Sequence, residues 1–147
     1  MSGDDAPAGD GVPVGDGIVR ASWYGTAVFA VTAVGADLAS FLRPLALAVA
    51  AALFVVGCGV FLIAYGRGVA RSRTERVSVP GLFFLSDSAP SDVRRSLLGS
   101  LAVEIALALV TAAVRPYTSL AAGTLVPVYG LALCGLWSAK HGTFPRR

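Results

Sequence analysis

Four long apolar stretches dominate this chain of 147 residues, at positions 23–42, 45–64, 97–114 and 120–137. Each contains close to the roughly 20 residues that an α-helix needs to cross a hydrocarbon layer of about 30 Å. Inside a bilayer the backbone N–H and C=O groups find no water, and a helix pairs them within one segment. The sequence therefore predicts an all-α membrane protein with four transmembrane helices.

The composition excludes a soluble helical bundle. Charged residues make up 14% of the chain and hydrophobic residues 55%, whereas about a quarter of a soluble domain is charged. A soluble helix carries charges along its outer face, but the four stretches contain only two charged residues, Asp37 and Glu104. The net charge of +3 comes from residues that flank the stretches, and the chain has no Asn or Gln for reading bases. We therefore expect no binding to nucleic acid.

The basic residues are distributed unequally between the two sides of such a protein. Basic residues in short loops are retained on the cytoplasmic side. Of the twelve Lys and Arg residues, Arg43 and Arg115 fall on one side and ten fall on the other. These ten are Arg20, Arg67, Arg71, Arg73, Arg76, Arg94, Arg95, Lys140, Arg146 and Arg147. The asymmetry predicts a multi-pass protein of the cytoplasmic (inner) membrane with both termini in the cytoplasm, and the short turns after the first and third stretches predict two antiparallel hairpins.

The rest of the chain divides into two tails and one loop. Residues 1–19 are mainly Gly, Asp, Ala and Pro, a composition that cannot bury enough apolar surface to offset the entropy of ordering. We predict a disordered acidic tail over 1–19, a transmembrane domain over 20–139 with a cytoplasmic loop at 66–96, and a short basic cytoplasmic tail over 140–147.

The loop at 66–96 carries two features that bear on partners. A cluster of four arginines follows the second stretch: Arg67, Arg71, Arg73 and Arg76. Such a cluster either sets the topology alone or also binds anionic lipid headgroups. The sequence PGLFFL at 80–85 is too short to cross and too apolar for water, so we expect it to lie in the interface or to pack beneath the bundle. Ser91 and Asp92 then indicate a helix start.

Glu104 lies near the middle of the third stretch, where an ionisable group is costly and usually faces the interior of a bundle. Steps of three or four residues place it on a polar stripe, and the first stretch carries a similar stripe of small and hydroxyl-bearing residues. The stripes consist of Ser100, Glu104, Ala108, Thr111 and Arg115 in the third stretch, and of Ser22, Thr26, Ala30, Ala33, Asp37 and Ser40 in the first. We expect the two stripes to face each other.

Two further contacts within the membrane are predicted. Asp37 lies near the outer end of its helix, within reach of Arg43 or Arg115, so an outer ion pair is expected. Pro127 has no N–H to donate to the Gly123 carbonyl, so we expect a kink and a free acceptor that serves a protonated Glu104.

The polar residues support two functional hypotheses. In the first, the chain is an accessory, assembly or scaffold component of a membrane complex, and Glu104 is neutral and holds helices together. In the second, the chain is a small proton- or cation-coupled transporter that acts as an oligomer, with Glu104 as the titrating group. The candidate site comprises Glu104, Ser100, Thr111, Asp37 and Arg115. We favour the first hypothesis because four helices enclose little cavity, and we expect the bilayer and either a second copy or another membrane protein as partners.

The sequence does not indicate an enzyme. Its single histidine, His141, stands alone after the last stretch, and no metalloprotease, nucleophile-elbow or phosphate-loop motif occurs. Cys58 and Cys134 lack CxxC spacing and lie within apolar stretches, where a thiol behaves as a small hydrophobic group. We therefore predict no catalytic residue, no metal and no cofactor.

Three segments of the C-terminal half carry a resemblance to known proteins. They read GLFFL at 81–85 followed by SAP at 88–90, VRPYTSL at 114–120, and LWSAKHGTFP at 136–145. With these segments the chain resembles an uncharacterised family of small four-helix integral membrane proteins of high-GC actinobacteria. The resemblance implies a source and a four-helix membrane fold, and it assigns no activity.

Overall fold

The computed structural model describes residues 15–114 and 119–146. Within these ranges the chain forms five α-helices, which are α1 (Asp16–Leu38), α2 (Arg43–Arg71), α3 (Val79–Phe83), α4 (Ser91–Val114) and α5 (Pro127–His141). Short 3-10 turns at Ser40–Leu42 and Ser119–Leu125 precede α2 and α5. Four helical spans are long and apolar enough to cross a membrane: Asp16–Leu38, Ser40–Arg71, Ser91–Val114 and Ala121–His141. The prediction of an all-α chain with four such helices is confirmed.

Helix α1 begins earlier than its apolar stretch. Gly15 adopts a left-handed conformation with a φ of 85°, and the helix starts at the next residue. Asp16 lies in the first turn, where the helix dipole favours an acid, and its carboxylate is 2.8 Å from the Arg20 guanidinium. Residues 16–19, which we assigned to the disordered tail, are therefore helical. The remainder of that tail, 1–14, lies outside the described residues.

The other helices also extend beyond their apolar stretches. Helix α2 continues to Arg71 rather than ending near residue 64, so the first part of the loop at 66–96 is helical. At 1.5 Å per residue its 29 residues span about 43 Å, which exceeds the ~30 Å hydrocarbon layer. Helix α4 begins at Ser91, as Ser91 and Asp92 predicted.

Helix α5 is the centre of the bundle. It packs against α2 and α4 and to a lesser extent against α1, while α2 and α4 lie at opposite corners. Half of the α5 span is buried, compared with 17% of the α2 span. Gly57 permits the close approach of α2 and α5, because a Cβ there would lie 2.8 Å from the Tyr129 backbone nitrogen. Because so little of its span is buried, helix α2 presents most of its surface away from the bundle.

The ends of the helices that carry Arg20, Arg71, Arg94 and Lys140 lie together, and we call this the basic end of the bundle. There the apolar loop segment packs against α2 and α5. The ring of Phe83 stacks on Phe61 with centroids 4.8 Å apart, and Leu82 and Leu85 are buried. Phe84 remains exposed. Of the two expected positions for this segment, the packed one is found.

Arg71 joins α2 to the end of α5 at the basic end. Its guanidinium donates hydrogen bonds to the carbonyls of Ser138 (3.3 Å), Ala139 (3.2 Å) and Gly142 (2.9 Å). It also lies 2.8 Å from the Glu75 carboxylate and over the ring of Phe144. Cationic groups stabilise the last carbonyls of a helix. Arg71 therefore belongs to the protein's internal contacts, whereas the other three arginines of its cluster are exposed.

Candidate functional site around Glu104

Three helices meet at the carboxyl group of Glu104. The residue lies on α4, is fully buried, and its two oxygens contact groups from two other helices. Thr26 Oγ1 of α1 lies 2.8 Å from Oε1, and the Gly130 N–H of α5 donates to Oε2 over 3.2 Å. One side chain thus links α4 to both α1 and α5.

The first turn of α5 explains why a backbone N–H is directed at Glu104. The carbonyl four residues before Gly130 is that of Val126, and it accepts from the Tyr129 N–H at 2.8 Å in a 3-10 arrangement. The Gly130 N–H donates instead to the carboxyl group, at the positively polarised end of the helix. A Cβ at position 130 would collide with the carboxyl group, so this approach requires glycine.

The predicted contact between Glu104 and the Gly123 carbonyl is wrong. Helix α5 begins at Pro127, so the proline occupies the helix start instead of breaking a helix interior. A proline is favourable there because the first amide of a helix has no partner to lose. The Gly123 carbonyl accepts from the Val126 N–H at 3.0 Å.

The polar stripes of α1 and α4 face each other, as the sequence predicted. The hydroxyl groups of Ser22 and Ser100 are hydrogen-bonded, and Ser100 also donates to the Leu97 carbonyl at 2.9 Å. One turn towards the basic end, the Trp23 indole N–H donates to Ser96 Oγ at 2.9 Å. Together with the Thr26 contact, polar groups join three successive turns of α4 to α1.

Thr111 and Asp37, two outer members of the candidate site, lie apart from the hydrogen bonds of Glu104. Thr111 donates to carbonyls of its own helix, at 2.9 Å to Leu107 and 3.1 Å to Ala108. Thr111 and Asp37 line a groove of about 130 Å³ between α1 and α4, and Asp37 is exposed there. Arg115, one of its expected partners, lies outside the described residues. The Nε atom of Arg43, the other expected partner, is buried without a hydrogen-bond partner in the described part of the chain.

The hydroxyl group of Thr26 limits what the site can do chemically. It lies 2.9 Å from the Ser22 carbonyl oxygen and 2.8 Å from Glu104 Oε1, so two oxygens compete for one hydroxyl proton. A carbonyl can only accept, whereas a carboxyl oxygen can donate when it is protonated. Both contacts are full hydrogen bonds when Glu104 donates to Thr26 and Thr26 donates to Ser22.

Sequence reasoning missed two groups that complete this site. Gly130 has no polar side chain to mark it in the sequence, yet its backbone N–H donates to the carboxyl group. The Tyr129 hydroxyl donates to the Ala21 carbonyl at 2.9 Å and ties α5 to α1 beside the site. A glycine three residues after a proline was the available signal, because this spacing places an open amide in the first turn of a helix.

The described residues contain no cluster of three or more His, Cys, Asp and Glu side chains that could hold a metal ion. Cys58 and Cys134 are free thiols, and His141 lies beside the Trp137 ring. Comparisons with protein-family models, with curated proteins and with solved structures find no match to this chain. The resemblance to the small actinobacterial membrane proteins stays a prediction.

Proposed function

We propose that this chain is a multi-pass protein of the cytoplasmic membrane that serves as an accessory, assembly or scaffold component of a membrane complex. One observation supports this above all: Glu104, the acid in the middle of α4, is fully buried, and both its oxygens contact groups of the protein. Polar groups used in this way hold transmembrane helices together, with about 0.6 kcal/mol for an average contact. The carboxyl group links α4 to α1 and α5, and we call this set of contacts the Glu104 joint.

The proposal includes a neutral Glu104. The single proton of Thr26 cannot fully serve both the Ser22 carbonyl and Glu104 Oε1. A proton on Oε1 supplies the missing donor, and Oε2 then accepts from the Gly130 N–H as a carbonyl oxygen. A neutral acid also avoids the cost of a charge in the hydrocarbon layer. In this state the joint has no unmatched polar group.

Infrared spectroscopy tests the neutral state directly. A protonated carboxyl group has a C=O stretching band that an ionised carboxylate lacks. Wild-type protein in lipid should show one such band at neutral pH that disappears in Glu104→Gln, and Thr26→Val should shift it because its hydrogen bond is lost. A wild-type spectrum with no difference from Glu104→Gln in this region would refute the neutral joint.

The proposed orientation places the basic end in the cytoplasm. Contacts of Trp23 with Ser96 and of Arg71 with Ala139 bring together the ends of α1, α2, α4 and α5 that carry the basic residues. The positive-inside rule then assigns this end to the cytoplasm, with α1 and α2, and α4 and α5, as two antiparallel hairpins. Cysteines introduced at 17, 73 and 146 should be shielded from impermeant thiol reagents in intact cells, whereas labelling of residue 73 from outside would overturn this topology.

The scaffold function is tested by identifying the proteins that this chain binds in the membrane. Crosslinking in native membranes followed by mass spectrometry should give a reproducible complex with a second copy of the chain or with another membrane protein. Measurement of proton transport in proteoliposomes tests the alternative, that the protein is a transporter. If purified wild-type protein moves protons under a pH gradient and a stable Glu104→Gln variant does not, the protein is a transporter and the scaffold proposal is wrong.

A further inference from the structure

We propose that the chain holds one anionic phospholipid of the cytoplasmic leaflet in a groove between α2 and α3. The groove has a volume of about 150 Å³ and its apolar walls are formed by Tyr65, Val69, Val77, Val79, Leu82 and Phe83. We call it the inner groove. The inner groove binds a segment of an acyl chain, and exposed arginines beside the groove bind the phosphate. The inference rests on the proposed orientation and is independent of the scaffold function.

The position of the inner groove along α2 suits a lipid at the membrane surface. The apolar run of α2 ends at Tyr65, and the groove continues along the helix to Ser72, about 10 Å further. Tyr65 is half exposed, as expected of an aromatic residue at headgroup level. The groove therefore opens where the hydrocarbon layer gives way to the headgroups, so chain and phosphate of one lipid can be bound together.

The charge beside the groove is positive, and no acidic side chain of the described residues forms an ion pair with it. Arg73 and Arg76 are exposed and lie in the segment between α2 and α3, next in sequence to the groove residues Ser72 and Val77. Glu75 is the acidic residue of this segment, but its carboxylate is paired with Arg71 at 2.8 Å. Arg73 and Arg76 thus remain available for an anionic group, and a zwitterionic lipid gains less from them.

A hydroxyl group at the rim adds a donor. Ser78 lines the groove, and its Oγ accepts a hydrogen bond from the Gly81 N–H at 3.1 Å. Because the hydroxyl acts as acceptor in that bond, its own proton is free to donate to a phosphate oxygen. Guanidinium groups with a hydroxyl donor are a combination suited to a phosphodiester.

Charge-matched variants separate this site from general attraction to an anionic membrane. The variant Arg73→Gln/Arg76→Gln removes two positive charges beside the groove, and the control Arg94→Gln/Arg95→Gln removes two exposed charges at the start of α4. Protein purified in a mild detergent is incubated with equimolar phosphatidylglycerol and phosphatidylcholine, and retained lipid is counted by native mass spectrometry. The preference for phosphatidylglycerol should fall by about 30-fold in the first variant, from two arginines at ~1 kcal/mol each. The control should keep most of it.

Equal losses in the two variants would show unspecific electrostatics and overturn the proposal. So would a wild-type protein without preference for phosphatidylglycerol.

A second pair of measurements tests the acyl chain. Val79→Trp introduces a large side chain at an exposed position that lines the inner groove. This variant should lose retention of long-chain phosphatidylglycerol. Glycerol phosphate and inorganic phosphate, offered to the wild type, should bind far more weakly than the lipid because they place nothing in the groove. Unchanged lipid retention in Val79→Trp, or phosphate binding as tight as lipid binding, would overturn the lipid assignment; if Val79→Trp misfolds, the arginine variants decide.

Discussion

The side chains of Glu104 and Arg71 contact opposite ends of α5, in contrasting surroundings. Glu104 of α4 meets the N-terminal turn of α5 through the Gly130 N–H, and Arg71 of α2 meets its C-terminal turn through the Ser138 and Ala139 carbonyls. The Arg71 cation matches the negative end of the helix dipole, whereas Glu104 accepts from an amide at the N-terminus that has no partner within the helix. Glu104 is fully buried, whereas the Arg71 side chain is 27% exposed and has Glu75 as a counter-ion.

The contrast shows how surroundings decide the chemistry of a helix cap. At the basic end, water and Glu75 allow a charged guanidinium to bind several carbonyls at once. At Glu104 no counter-ion is among the hydrogen-bond partners that the described residues supply, and the joint relies on matching donors to acceptors. We therefore expect the buried joint to be sensitive to shape and donor count, and the Arg71 joint to be sensitive to salt.

The largest effect is expected for Glu104→Leu. The substitution leaves the Thr26 hydroxyl and the Gly130 N–H without the carboxyl group, so the free energy of unfolding should fall by about 2 kcal/mol. Glu104→Gln is the matched control, because an amide donates to Thr26 and accepts from Gly130 in nearly the same shape. Thermal unfolding in detergent measures both. Equal destabilisation by Gln and Leu would mean that the joint requires the acid itself.

A somewhat smaller effect is expected for Gly130→Ala. A Cβ at 130 would collide with the Glu104 carboxyl group and force it away from its donors, at a cost of about 1–2 kcal/mol. Gly59→Ala is the control, since a Cβ at this helical position meets nothing within 4 Å. Alanine is the better helix former, so the control should be neutral or slightly stabilising. A tolerated Gly130→Ala would argue against a tightly packed joint.

Substitution of Arg71 should lower the free energy of unfolding by less than Glu104→Leu or Gly130→Ala does. Arg71→Gln loses the contacts to the end of α5 and the pair with Glu75, and about 1 kcal/mol is expected because this end is partly exposed. The difference from wild type should shrink as salt is added, which the Glu104 variants should not show. Exposed Arg67→Gln serves as the control for loss of charge. A salt-independent Arg71 effect would erase the contrast between the two joints.

The smallest effect is expected at Thr26. Thr26→Val keeps the shape and removes the hydroxyl group, so about 0.6 kcal/mol should be lost. Thr26→Ser keeps the hydroxyl and should unfold nearly as wild type does. Because Thr26 and Glu104 share one hydrogen bond, Thr26→Val should have almost no further effect in a Glu104→Leu background. Additive losses would show that the two side chains do not act as one unit.

The sequence alone determined the number of helices long and apolar enough to span a membrane, and which polar stripes face each other. The number of such helices follows from the length of each apolar run, since ~20 residues span the hydrocarbon layer. The facing of the stripes follows from helical periodicity, since residues three or four apart share a face. The stripes that contain Thr26 and Glu104 were therefore expected to face each other, and these two side chains lie 2.8 Å apart. The helix bounds were less predictable, because α1 and α2 extend through Asp16 and Arg71 into segments whose composition indicated a tail and a loop.

Only the tertiary structure decided what the charged residues bind. Gly130 could not be recognised as a donor from its side chain, because its contribution is a backbone N–H exposed by the 3-10 turn at the start of α5. Arg71 could not be separated from its three neighbours in the arginine cluster, because its role depends on the end of a helix 67 residues away in sequence. A hydrophobic pattern is local, because a few neighbouring residues are enough to define it. A hydrogen bond between helices depends on the register and rotation of those helices, and the packing of the whole bundle determines both.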